Sequence, residues 1–280
     1  MKRKSAVKLP KPIAFSPAMS QAIRDGLKTM TRRVIRVQPK IVDGAWYWKH
    51  NKYDNGMGAN YFHTQKISDD ILEGMAACNP YGSPGDLLYV KEEHWIWGLW
   101  EETGERTSSG QKKLKFNSDR SEITFSRPSK TDCANRDGSN YGWAYRNARY
   151  MNRSTSRIML RITCVDVEQV NQISDLDARR EGARPVPGRE RGETLWSMGG
   201  DSLEADSPIG AFRYYWDQLN SSRNMCQECD GRGFVVKFNS GVPRSIPCAV
   251  CSAVGIHCRP YSWEGNPFVD VIEFEVLETK

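Results

Sequence analysis

The chain has 280 residues, 39% hydrophobic and 26% charged, with a net charge of +6, which predicts one domain with large insertions or two small domains. No run approaches the roughly 18–20 apolar residues that a membrane span needs, so we expect no membrane-spanning helix and no membrane partner. No apolar segment follows the basic residues 1–4, so we expect a cytoplasmic protein without a secretory signal.

The first predicted elements are a short strand at residues 13–15 and a helix directly behind it. Ser16 and Pro17 are typical of an N-cap and the first helical residue. Apolar residues then recur at helical spacing up to Leu27, which indicates one buried helix face. Residues 28–34 follow at once and lead into a predicted strand.

The middle of the chain contains one strong signal and one long irregular stretch. Residues 79–86 form a dense turn signal, and residues 87–90 behind it predict a strand. Residues 98–140 are rich in Gly, Ser, Thr, Lys and Asp. We therefore expect a long, partly mobile insertion near residues 98–154.

The second half returns to short strands and short helices. Alternating apolar residues from 158 to 164 predict a strand, and Ser174 caps a helix that runs to Glu181 and stops at Gly182. Ser207 and Pro208 open another helix, and residues 268–277 form the last predicted strand. Because regular strand–helix repeats are missing, we expect an α+β, mainly β, protein: a small barrel with flanking helices rather than a parallel sheet.

Two basic stretches suggest contact with a polyanion. Residues 24–40 carry six cations and one acid, and residues 146–161 carry five arginines and no acid. We expect phosphate contacts from Arg32 or Arg33, of which one faces the cleft because neighbouring strand residues point to opposite faces. Arg157 is a further candidate, or simply the start of a barrel strand. The alternative for each stretch is a solvated face.

Four cysteines have the spacing of a zinc ribbon. Cys226 and Cys229 form one C-x-x-C pair, Cys248 and Cys251 form the other, and 18 residues separate the pairs. In a reducing compartment such pairs indicate metal rather than disulfides, and four thiolates close a tetrahedral structural Zn²⁺ site. We therefore predict a ribbon at residues 222–260, able to contact nucleic acid or protein. The alternative is two pairs without metal.

Five short motifs occur in an order shared with one known family. They are Phe15-Ser16 with Gly26–Arg33, Pro80–Gly82 with Gly85–Glu92, Ser156–Ile158, Asp177-Ala178 with Glu181-Gly182, and Asn266–Phe274. Together they resemble ASCH-domain proteins, particularly phage-encoded ones. The resemblance implies a discontinuous PUA-like barrel domain at residues 11–220 and 262–280, interrupted by the insertion and the ribbon.

The resemblance also implies a ligand class and a site. ASCH proteins bind RNA or modified nucleosides, and some small members hydrolyse the amide of N4-acetylcytidine with a lysine, a threonine and a glutamate. These fall on Lys28, Thr31 and Glu181. A lysine in a dry cleft can act as a base, a threonine can attack or hold water, and a glutamate can shuttle a proton. The chain differs from those enzymes in its length, its ribbon and the Arg32-Arg33 pair.

Each site residue also has an ordinary structural explanation. Lys28 can neutralise a helix C-terminus, Thr31 can be a plain strand residue, and Glu181 can pair with Arg179 or Arg184. Three functions follow: an amidohydrolase for an N4-acylated cytidine, a non-catalytic reader of RNA or a modified nucleoside, and a phage protein whose ribbon binds a host factor in the host cytoplasm. Salt-dependent RNA affinity without turnover would distinguish the second from the first.

Overall fold

The computed structural model describes residues 8–42, 45–48, 61–62, 69–188, 194–200, 203–220, 234–239, 242–247 and 261–279. This part of the chain is mixed α+β and mainly sheet, which confirms the coarse fold prediction. The α-helices are α1 (Pro17–Arg24), α2 (Asp69–Ala77), α3 (Asp175–Arg180) and α4 (Pro208–Asn220). None of these helices has the length and apolar character that crossing a membrane requires.

The strands belong to one main sheet and four smaller ones. In chain order they are β1 (Lys11–Ala14), β2 (Met30–Val34), β3 (Lys40–Val42), β4 (Ala45–Tyr47), β5 (Tyr61–Phe62), β6 (Leu87–Lys91), β7 (His94–Arg106), β8 (Lys112–Thr124), β9 (Gly142–Arg146), β10 (Ile158–Gln169), β11 (Arg184–Pro187), β12 (Thr194–Ser197), β13 (Phe234–Asn239), β14 (Val242–Pro247) and β15 (Phe268–Thr279). The main sheet has the order β1-β6-β10-β15-β2. Its long central strands, β10 and β15, pair antiparallel over almost their whole length.

The main core lies between this sheet and helices α1, α3 and α4. Its fully buried side chains come from all of these elements, among them Ile23, Leu160, Ala211, Trp216 and Ile272. Burial of such side chains from water is the dominant favourable term in folding. A second, smaller cluster lies under α2, where Met75 packs with Phe268. The helices are thus held to the sheet through their apolar stripes, as the sequence periodicity indicates.

The main sheet stays open along a seam between its edge strands, β1 and β2. The chain of pairings makes these edges antiparallel to each other, and no backbone ladder joins them in the described residues. A side chain bridges the seam instead: Arg33 Nη2 donates to the carbonyl oxygen of Ala14 at 2.6 Å. The sheet therefore does not close into a barrel in the described residues, and the PUA-like barrel that the motif resemblance implies stays a proposal.

The region near residues 98–154 differs from the expected irregular insertion. Strands β7 and β8 form a long hairpin that continues up to residue 124, and β9 pairs with the other edge of β7. Two single 3₁₀ turns, Ala148–Tyr150 and Arg153–Thr155, then lead to β10. The Gly, Ser and Lys content of residues 98–154 predicted an irregular segment, but this region forms a regular sheet. Strand pairing allows polar residues on a face that is exposed to solvent.

The remaining described strands form three small sheets, β3-β4-β5, β11-β12 and β13-β14. The last of these lies between the two cysteine pairs of the predicted ribbon. All four ribbon cysteines, Cys226, Cys229, Cys248 and Cys251, lie outside the described residues. The register nevertheless pairs Phe234 with Pro247, so the two ends of the intervening segment are neighbours.

Candidate functional site

A sharp turn between α1 and β2 places Lys28 beneath the first helix. Ser16 caps the start of the helix, and Asp25 is its C-cap. Gly26 then adopts a φ of 70°, in the left-handed region that favours glycine, and the backbone N–H of Lys28 donates to the Ala22 carbonyl at 3.1 Å. The chain thereby folds back, and Lys28 enters the interior.

Glu181 reaches the same place from the end of helix α3. Ser174 caps this helix through a hydrogen bond from the Asp177 N–H, and Glu181 is its C-cap residue. The turn continues through Gly182, whose φ is 111°. The N–H of Thr29 donates to the Arg180 carbonyl at 2.9 Å, which ties the two helix ends together.

The two predicted site residues Lys28 and Glu181 are in direct contact. Lys28 Nζ lies 2.6 Å from Glu181 Oε2 and 2.7 Å from the Glu181 carbonyl oxygen. The side chains are only 2% and 4% exposed. Burial lowers the pKa of Lys28 below its ordinary value of 10.5, while the contact with Glu181 acts in the opposite direction. Lys28 is therefore an ammonium that releases its proton more readily than a surface lysine.

Arg32 belongs to the same buried cluster. Its Nε donates to Glu168 at 2.6 Å, its Nη1 donates to Glu181 Oε1 at 3.3 Å, and its Nη2 lies 3.5 Å from Asp177 Oδ2. The Arg32 side chain is 1% exposed. Burial raises the pKa of Glu168, and Arg32 opposes that rise. Arg32 thus orients Glu181 and balances three acids.

Lys28, Arg32 and Glu181 line a cleft of about 280 Å³. Thr31, which is 4% exposed on β2, contributes to its wall beside Lys28 and Glu181. The other walls are largely aromatic and come from β1, its flanking residues and α4: Phe15, Phe212, Tyr215 and Trp216. The structure therefore brings Lys28, Thr31 and Glu181 to one concave, mostly apolar site, the usual form of a small-molecule pocket.

Arg33 stands at the edge of this cleft, on the seam. Its guanidinium carbon lies 4.9 Å from the centroid of the Phe15 ring, and Nη2 donates to Ala14 across the seam. Its Nε is buried and donates to no described residue. An unpaired buried donor is costly, so this N–H is available to an oxygen of a ligand.

Two of the predicted phosphate contacts do not fit this arrangement. Arg32 is paired with three carboxylates, and its side chain is only 1% exposed, which leaves little of it accessible to a phosphate. Arg157 forms a bidentate pair with Glu92 at 2.9 and 3.0 Å, and it stacks 3.9 Å from the centroid of Phe125. These partners hold Arg157 at the start of β10, as the structural alternative expects. Arg32 and Arg33 both line the cleft, whereas Arg157 is not part of its wall.

Sequence reasoning missed several members of the site. Tyr215 accepts or donates a hydrogen bond with Ser16 at 3.1 Å, and burial raises its pKa. Glu93, half-buried after β6, adds a carboxylate to the cleft wall. Phe15 lies in the first motif of the family resemblance, but the resemblance gives it no role in the site. Their assembly depends on tertiary packing that brings α4 and Glu93 beside residues of β1 and β2, and no local sequence signal indicates it.

Two further aromatic side chains lie outside this cleft. Tyr81 lines a second cavity on the seam, and Trp95 packs edge-on against Tyr145 with ring centroids 5.7 Å apart. Among the described residues, no group of three or more His, Cys, Asp or Glu side chains is arranged to hold a metal ion.

A scan against protein-family models, a search of curated proteins and a search of solved structures found no match to this chain.

Proposed function

We propose that this protein is an ASCH-type binder of RNA or of a modified nucleoside, and that it hydrolyses the amide of an N4-acylated cytidine. The observation that carries the proposal is the buried contact between Lys28 and Glu181 beside Thr31 in an aromatic cleft. Perturbed titratable groups in a concave site are typical of catalytic centres. The same three residues correspond to the motif that the sequence resemblance singled out.

The cleft volume favours a small ligand. At about 280 Å³ it lies at the lower end of the range for ligand pockets, roughly 300–1,000 Å³. Phe15 and Tyr215 offer flat apolar surfaces on which a base can stack. A single pyrimidine with a short acyl group fits these walls better than a large acyl chain does.

The proposed reaction consumes one water and releases a carboxylic acid and the free N4 amine. Lys28, in its neutral form, takes a proton from the Thr31 hydroxyl or from a water that this hydroxyl holds. The oxygen attacks the acyl carbon, and the Arg33 Nε–H stabilises the developing oxyanion. The C–N bond then breaks as the proton passes through Lys28 and Glu181 to the leaving nitrogen. If Thr31 attacks, water hydrolyses the resulting ester and restores the hydroxyl.

The test is release of cytidine from N4-acetylcytidine, followed by chromatography, for the wild type and for Lys28→Met, Glu181→Gln and Thr31→Val. The hairpin offers a matched control, because Lys113 and Glu105 also form a contact of 2.6 Å but are more than half exposed. We expect Lys113→Met and Glu105→Gln to retain full activity, and the Lys28 and Glu181 variants to lose at least 100-fold, the lower end for removal of acid–base catalysis. No turnover by folded wild type would refute the hydrolase.

A non-catalytic reader function has separate support from the sheet β8-β7-β9. One face of this sheet carries Trp95, Trp97, Trp143 and Tyr145, with Trp97 and Trp143 packed edge-on at 5.3 Å. Tyr145 is 48% exposed, and Arg149 lies over the exposed Tyr150 nearby. Aromatic rings and arginines together form the usual platform for single-stranded nucleic acid.

A reader predicts RNA affinity that falls with salt and does not require Lys28. Binding of a fluorescent single-stranded RNA at several salt concentrations measures this. Tyr145→Ala with Trp97→Ala should weaken binding, whereas Lys28→Met should leave it unchanged. Affinity that is insensitive to salt and to both aromatic substitutions would contradict the reader function.

We also propose that Cys226, Cys229, Cys248 and Cys251 hold one structural Zn²⁺. The support is the ligand spacing and the β13-β14 hairpin, whose register brings the segment between the pairs back to its starting point. Zinc content of the purified protein should be one per chain and should fall in Cys229→Ser. Cys164→Ser, at an exposed position on β10, is the matched control and should leave the zinc content unchanged.

A further inference from the structure

A second and larger cavity, of about 650 Å³, opens on the same seam. Its walls come from β1 and β2 at residues Pro12 and Val34, from α2 at Met75, and from Trp48 and Tyr81. The catalytic cleft uses residues 14–15 and 31–33 of the same two edges. The cavities therefore lie on opposite sides of the hydrogen bond between Arg33 and Ala14.

A buried carboxylic acid faces this cavity, and one of its oxygens has no hydrogen-bond partner among the described residues. Asp270 lies near the start of β15, between β10 and β2, and is 3% exposed. Its Oδ1 is fully enclosed and accepts no hydrogen bond from any described residue. Burial raises the pKa of Asp270 to about 7, and no charged neighbour contributes to that shift. Such a group destabilises the fold, which argues that it serves a ligand.

The surroundings of Asp270 define the ligand. Trp48 and Tyr81 provide aromatic walls, and Trp48 is held by a hydrogen bond from its Nε1 to the Val37 carbonyl at 2.8 Å. Lys11 and Arg36 stand on the lining near its exposed side and make a cationic ligand unfavourable. The remaining titratable groups on the lining are Tyr81 and Cys78. These groups are complementary to a flat heterocycle that stacks on the aromatic walls, donates N–H groups to Asp270 and carries an anionic group for Lys11 and Arg36.

We propose that this cavity binds a guanine nucleotide, with the N1–H and 2-amino groups of the base donating to Asp270 and the phosphate directed to Lys11 and Arg36. Among the common bases, guanine alone presents two adjacent N–H donors to one carboxylate. A cavity of about 650 Å³ is large enough for a mononucleotide, in the usual range for ligand sites. This site does not depend on the proposed amidohydrolase activity.

The experiment is isothermal titration calorimetry of the zinc-loaded full-length protein near pH 8 with GMP, IMP, AMP and ribose 5-phosphate. IMP keeps the N1–H but lacks the 2-amino group, and ribose 5-phosphate lacks the base. We expect GMP to bind, IMP to bind about tenfold more weakly, and AMP and ribose 5-phosphate to bind at least 30-fold more weakly. Parallel titrations with short RNAs that contain guanine or adenine at one position show whether the guanine comes from a free nucleotide or from RNA.

Variants separate this site from the cleft and from simple loss of folding. Asp270→Asn, which removes the charge at nearly constant shape, should weaken GMP binding at least tenfold, and a thermal melt verifies that it folds. Glu275→Gln is the control, because this exposed carboxylate lies on the same strand and pairs with Arg161. Lys28→Met should leave GMP affinity unchanged. Absence of GMP binding, equal binding of GMP and AMP, or full affinity in folded Asp270→Asn would each overturn the proposal.

Discussion

Substituting Asp270 by asparagine should stabilise the protein, and increasingly so as the pH rises. The side chain is 3% exposed, its Oδ1 has no hydrogen-bond partner among the described residues, and burial raises its pKa to about 7. An asparagine of the same shape avoids the cost of ionisation at every pH. The remaining charged or titratable groups that line this cavity, Lys11, Arg36, Tyr81 and Cys78, are unchanged by the substitution.

The magnitude follows from the linkage between proton binding and folding. Below pH 4 the carboxyl is protonated in both the folded and the unfolded chain, so ionisation costs nothing. Between pH 4 and pH 7 the unfolded chain releases the proton while the folded chain keeps it, so wild-type stability falls as the pH rises. Above pH 7 the cost is constant at about 4 kcal/mol.

Urea unfolding of the wild type and Asp270→Asn at several values from pH 5 to pH 8 measures this cost. The free-energy difference between the two proteins should grow by roughly 2.5 kcal/mol over that range in favour of the variant. Because Glu168 titrates in both proteins, its contribution cancels in the difference. Glu275→Gln should show no such trend. A difference that stays constant from pH 5 to pH 8 would refute the inference that Asp270 is buried without a partner.

Three further substitutions test the buried charges and the turns. Glu181→Gln removes the acid between two buried cations, and we expect urea unfolding to show a loss of about 3–5 kcal/mol; a loss below 1 kcal/mol would contradict the cluster. Gly26→Ala should cost about 1–2 kcal/mol in the same assay because of its positive φ, whereas Gly74→Ala inside helix α2 should not destabilise by this mechanism. Arg157→Met leaves the buried Glu92 carboxylate without its ion-pair partner, and a thermal melt should show clear destabilisation.

Local signals were enough to predict the elements that carry the site. The serine N-caps at Ser16 and Ser174 and the helix stop at Gly182 have the predicted roles, because capping and a positive φ depend on a few neighbouring residues. Gly26 differs from the prediction: the helical spacing up to Leu27 placed it inside the first helix, but the helix ends at Arg24 and Gly26 lies in the turn behind it. The motif resemblance adds the expectation that Lys28 and Glu181 lie in one site. The two residues are 153 positions apart in the chain, and their side chains are in contact.

The role of Arg32 could not be predicted from its neighbours. Its sequence context is strongly basic, which favours a surface that attracts phosphate. Its acidic partners Glu168, Asp177 and Glu181 come from the end of β10 and from α3, more than 130 positions later. Only the tertiary fold brings those carboxylates around one guanidinium. The basic stretch therefore predicts a positive local charge correctly, but it does not predict that the Arg32 side chain is buried.

The open seam gives a common physical origin to both cavities. Strand β1 is short and contains Pro12, a residue that removes a backbone donor and is confined to sheet edges. With the ladder between β1 and β2 unmade, the side chain of Arg33 supplies one cross-seam hydrogen bond to Ala14, and space remains on either side of it. On one side Lys28 and Glu181 face the gap, and on the other Asp270 does. A closed ladder would fill this gap with backbone hydrogen bonds, so the missing closure leaves room beside these buried ionisable groups for the ligands proposed above.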